Sequence, residues 1–125
     1  WVTCFGSTQN IPYVLDVYRR SKVVLNHATD VGQEFGWGYG IQCRHFEVGM
    51  TRTALLSSYS YDSEPTSPLC ALFCDEQPLV ERLTSLINDR RYDARGEISY
   101  NQIMRAHRPE HRAAQLVDFI ERNRR

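Results

Sequence analysis

Two histidines four positions apart, His107 and His111, would present both imidazoles to a metal if they shared one continuous helix. Pro109 stands between them and no third ligand is evident, so the pair is expected to set a turn into a last helix instead. Arg44 and Glu47 are three apart, which on a helix places them on one side. A guanidinium there can meet a phosphate bidentately, and an ionised carboxylate can accept two hydroxyl donors. An ordinary surface carboxylate, or a salt bridge from Arg44 to Glu47 or Glu34, would explain the same residues. Ser57 and Ser58 end an apolar run, where they can hold a phosphate or simply cap a strand. His27 ends another, where it can touch a ligand or bond a loop carbonyl.

Cys4, Cys43, Cys70 and Cys74 form no CxxC pair. Cys70 and Cys74 would sit on one face of a strand about 13 Å apart along it, too far to bridge or share a metal. Buried free thiols and a reducing, cytoplasmic setting are expected. Fifteen basic and fifteen acidic side chains cancel, so no global field draws the chain to nucleic acid or anionic lipid. No apolar run approaches the roughly 18 residues that span a bilayer.

The elements that must position these groups follow from hydrophobic period. Val2–Phe5 reads as a strand already under way, which suggests a piece of a longer protein. Asn10 and Pro12 start a helix with Val14, Leu15, Val17 and Tyr18 on its apolar face. Residues 22–26 form a β-branched run expected to be a strand buried on both faces. Residues 32–40, rich in glycine and aromatics, make a loop; Phe35, Trp37 and Tyr39 there can stack on a base or sugar, or pin the loop to the core. A helix over 42–50, a strand over 53–57, a loop over 59–68 and a strand over 69–74 follow. Helices then cover the stretch after Asp75, 92–105 (weakened by Gly96) and the end of the chain.

The succession predicts one α/β domain over 1–125, a mostly parallel sheet of about four strands in a Rossmann-like, three-layer arrangement. Ligands of such sheets bind outside the carboxyl ends of the strands. Four strands are few for a doubly wound domain, so a front portion is expected elsewhere.

The ordered set Tyr18 to Asn26, Arg44-His45-Phe46-Glu47, Leu55-Leu56-Ser57, Leu79 to Leu86, Asn88-Asp89 and His107 to Arg112 resembles the C-terminal domain of CgeB-like, spore-maturation glycosyltransferases. These belong with the group-1 glycosyltransferases of the GT-B fold. The resemblance covers nearly the whole chain. It implies a nucleotide-sugar donor, an unknown acceptor, a missing N-terminal domain that would complete the cleft, and neither metal nor other cofactor. It places Glu47 where the family's glutamate bonds the donor's ribose or sugar hydroxyls. Gly38, Tyr39 and Gly40 precede that helix, whose start would favour a pyrophosphate.

Two positions depart from the family. The wider group has two glutamates eight apart, but Tyr39 stands eight before Glu47, and Glu34-Phe35-Gly36, similar to the first motif, lies thirteen before it. Arg52 stands where a glycine is usual, and there it would crowd the donor or add a phosphate contact. The donor-binding set is thus Glu47, Arg44, His27, Glu34, Gly40, Ser57 and Ser58. The alternative function is a non-catalytic α/β module binding a nucleotide or a protein.

Overall fold

The structure, a computed structural model, describes residues 10–27, 43–59, 69–73 and 76–124. Helix α1 (Ile11–Arg20) starts as its sequence requires: the Asn10 side chain accepts the Tyr13 N–H at 3.2 Å, and Pro12 fills a first-turn position. It stops at Ser21, where the backbone becomes extended. Strand β1 (Val23–Asn26) follows, then helix α2 (Arg44–Met50) and strand β2 (Ala54–Ser58). Strand β3 (Ala71–Phe73) precedes helices α3 (Glu76–Asn88), α4 (Arg91–Ala106) and α5 (Pro109–Arg122).

The described strands form one parallel sheet in the order β1-β2-β3. That is three strands rather than about four; the run 2–5 expected to be the first lies outside the described residues. Val24 pairs with Leu55, Asn26 with Ser57, and Ser57 with Leu72. Register partners share a face, so Val24, Asn26, Leu55, Ser57 and Leu72 all lie on one side of the sheet. The core forms there: Val48 of α2, Leu55 and Cys70 are buried together, with Tyr18, Val24 and Leu72 packed around them. β1 is not buried on both faces as its composition suggested. Leu25, pointing the opposite way from Val24, is 48% exposed.

Helix α4 closes the N-terminal end of the sheet. The Ser99 hydroxyl donates to the Leu69 carbonyl at 2.7 Å, and Arg95 Nη2 donates to the Cys70 carbonyl, both just ahead of β3. The helix runs through Gly96 without a break. A Cβ at 96 would lie 2.6 Å from the Arg52 carbonyl carbon, so glycine is what lets α4 cross against the backbone leading into β2. A Cβ on Gly49 would meet the end of the Ile103 side chain at 2.5 Å, so this glycine makes room on α2 for a side chain of α4. Thr53 completes this end by donating its hydroxyl to the Tyr18 carbonyl at 2.8 Å.

Arg90, left-handed at φ 51°, turns the chain from α3 into α4. Between α4 and α5 the histidines behave as turn residues. His111 Nδ1 accepts the Arg108 backbone N–H at 3.2 Å, and Arg112 donates to His107 Nδ1 at 2.9 Å. α5 carries its apolar residues outward, with Leu116, Val117, Phe119 and Ile120 all more than half exposed. Among the described residues no helix is long and apolar enough to cross a membrane.

Gly96→Ala should destabilise the chain by about 3 kcal/mol, since a rigid backbone carbonyl rather than a flexible side chain blocks the methyl. Urea unfolding of the two proteins measures this, and a loss below about 1 kcal/mol would contradict such close packing. The second expectation concerns pH. Burial, then the Arg112 and His111 charges, hold the His107 imidazole below its ordinary 6.5. The unfolded chain therefore takes up this proton first as pH falls. Stability from the neutral ring is present above about pH 6.5 and is lost as pH drops through the folded value. His107→Gln should flatten the fall in thermal midpoint between about pH 7.5 and 5, and an unchanged slope would contradict it.

Candidate functional site

α4 occupies the N-terminal end of β2 and β3, and open α/β sheets receive their ligands at the opposite rim, at the carboxyl ends of the strands. The rim's chemistry follows from the two rows on the core face. Val24 is followed two residues later by Asn26, and Leu55 by Ser57, so each row turns from apolar to polar at the same level. Asn26 and Ser57 are each 1% exposed. A buried amide and a buried hydroxyl must find partners.

They find them in a short chain of bonds. Asn26 Nδ2 donates to Ser57 Oγ at 3.0 Å, and Ser57 Oγ donates to the Ser58 carbonyl at 3.3 Å. Asn26 Oδ1 in turn accepts from Arg44 Nη1 at 2.9 Å. Arg44 stands at the first position of α2, which packs on the same sheet face through Val48. The amide orientation of Asn26 is thereby determined: its oxygen must face a guanidinium, which only donates, and its nitrogen the serine.

Arg44 spends one donor on Asn26 and makes no ion pair among the described residues. In particular it does not bridge to Glu47, although both sit in the first turn of α2. Glu47 is half-buried and has neither an ion-pair nor a hydrogen-bonding partner among the described residues. Among the described residues, a guanidinium bonded to the rim with most of its donors uncommitted and a carboxylate with its acceptors uncommitted thus stand three positions apart on α2. Such a set suits an anion bearing hydroxyl groups.

The other candidates fall out differently. Ser57 spends its hydroxyl within the rim, fixing Asn26, while Ser58 is partly exposed at the strand end. His27 follows β1 and is exposed. Glu34, Gly40 and the aromatic loop around them lie outside the described residues, as does Tyr39. Arg52 is a correction. It precedes β2 at the closed end, about 16 Å along the strand from Ser57, so it neither crowds the rim nor adds a contact to it. Its guanidinium lies 4.3 Å from the Tyr100 ring and 3.6 Å from Glu97. Its φ of 59° gives a local reason for a glycine at this place.

Sequence reasoning puts Asn26 at the carboxyl end of a strand but assigns it no role. The available signal was a polar residue closing the run Val23-Val24-Leu25, but nothing local tied it to partners 18 and 31 positions away.

Neither described thiol enters the Asn26–Ser57–Arg44 set of bonds. Cys43 is exposed rather than buried, and burial raises Cys70 to about 11, which keeps it protonated. Cys4 and Cys74 lie outside the described residues. Among the described residues no three His, Cys, Asp or Glu side chains gather as metal ligands. A separate groove of about 620 Å³ runs between α3, α4 and β3, lined by Leu72, Leu86, Ile98 and the arginines 82, 91 and 95. It shares no residue with the rim set.

No curated protein and no solved structure matches the chain significantly. A family described as glycosyl transferase-like matches residues 3–118, which takes in every element around the rim. With nearly the whole chain matched and a parallel α/β sheet carrying the rim, the chain belongs to the glycosyl transferase-like family.

Proposed function

We infer that this chain is the donor-binding half of an enzyme that moves a sugar from a nucleotide-sugar to an acceptor supplied from outside it. The observation that carries the reading is Arg44, whose charge is held at the carboxyl rim by a neutral partner and, among the described residues, is not compensated by a carboxylate. On this reading the guanidinium takes the diphosphate and steadies the charge that builds on it as the glycosidic bond breaks. Glu47 bonds hydroxyls of the ribose or the sugar, fixing which face the anomeric carbon presents. Glu34, Gly40, His27 and Ser58 complete the pocket.

Within the family, the ordered residue set favours the CgeB-like, GT-B branch, with this chain as the C-terminal, three-layer, Rossmann-like domain and no metal required. The general base and the acceptor then belong to the other half, so the chain alone binds donor weakly and turns nothing over. The exposed thiol of Cys43 suits a reducing, cytoplasmic setting.

The test is binding of uridine, guanosine and thymidine diphosphates and their sugar esters, followed by calorimetry or ligand-observed NMR up to millimolar concentration. At least one should bind, and Glu47→Ala should weaken the sugar ester about ten- to a hundredfold, as expected for losing charge-assisted hydrogen bonds. No binding by any of them would favour a non-catalytic module instead.

A further inference from the structure

We propose that Asn26 is a positioning residue for the anion site: it holds the Arg44 guanidinium in place while leaving its charge unneutralised. The inference rests on the donor reading above and goes further in assigning a role to a buried side chain. Three observations carry it. Asn26 is 1% exposed and its amide is fixed at both ends, by Ser57 Oγ at 3.0 Å and Arg44 Nη1 at 2.9 Å. Ser57 is itself tied to the Ser58 carbonyl, so the anchor is braced by the strand end rather than by another long side chain. Arg44 has no carboxylate partner among the described residues.

An arginine is held most strongly by a carboxylate, which would also cancel its charge. An amide oxygen grips the same N–H with a dipole only. The guanidinium then keeps its full positive charge and its remaining donors, already oriented when an anion arrives. Asparagine also supplies a donor at its other end, which an aspartate lacks, and that donor is what fastens it to Ser57. The rim thus separates two tasks: Asn26 sets where the guanidinium sits, and the ligand supplies the countercharge.

The experiment is a double-mutant cycle on the full chain with Asn26→Ala, Arg44→Ala and both together, titrated with uridine and guanosine diphosphates and with the bare nucleosides. Asn26→Ala should weaken diphosphate binding about fivefold or more while leaving nucleoside binding unchanged, and should have no further effect on the Arg44→Ala background. Asn26→Asp keeps the shape and the acceptor facing Arg44, and the Ser57 hydroxyl can turn to donate to it. It should fold with a thermal midpoint near the original, yet lose about tenfold or more in diphosphate affinity, with a shallower salt dependence.

Equal losses from Asn26→Ala with and without Arg44 would mean a merely structural role and would overturn the proposal. Undiminished binding by Asn26→Asp would overturn it as well. If the unaltered chain binds diphosphate but Arg44→Ala costs nothing, this inference falls while the donor reading stands on another anchor. If the unaltered chain binds no diphosphate, both fall.

Discussion

The parallel register of β1 against β2 is the constraint from which the remainder of the molecule follows. It sets Val24 beside Leu55 and Asn26 beside Ser57, stacking an apolar level under a polar one on a single face. A slip of one residue would turn every side chain to the other face. It would bury Leu25 in place of Val24 and leave the Asn26 amide without its serine. An unmet buried amide costs about 1–3 kcal/mol, so the polar level helps enforce the register that the apolar level favours. Packing and site are therefore one arrangement, read at two heights of the same two strands.

The ends of the sheet are built for different purposes. At the N-terminal end α4 crosses close to the backbone on Gly96, Gly49 of α2 makes room for the Ile103 side chain, and Ser99, Arg95 and Thr53 reach across to main-chain carbonyls. Interactions with backbone carbonyls and glycine-lined crossings leave little freedom, and this end is the rigid base. At the other end the contacts are made by the side chains of Asn26, Ser57 and Arg44, and among the described residues the guanidinium keeps donors to spare. A stiff base and a polar rim are what a binding sheet of this topology needs.

Much of the scaffold was legible in the chain because hydrophobic period is a local property. The helices around Val14, Leu83 and Leu116 and the strands around Val24 and Leu55 appear close to where their spacing put them. What failed was set by distant partners. Gly96 looked like a weak point by propensity, yet it is a crossing point chosen by Arg52, 44 residues earlier. Leu25 looked buried because β-branched runs usually are, but composition does not say how many layers cover a strand. Arg52 was expected near the ligand, since a left-handed φ cannot be read from an arginine. Of the site, Arg44 and Glu47 could be put on one helix face from spacing. Asn26 could be put at a strand's carboxyl end but given no role, because its meaning lies in two hydrogen bonds to residues far along the chain.

The central claim is that an anion seats on the Asn26–Arg44 level of the rim. Its most direct measurement is a residue-resolved amide and side-chain NMR map of the chain titrated with uridine and guanosine diphosphates. The account predicts that the Arg44 Nε–H, the Asn26 side-chain amide and the Ser57 and Glu47 backbone signals shift together along one binding curve. Shifts confined to the groove of Arg82, Arg91 and Arg95, with the rim signals unmoved, would contradict it.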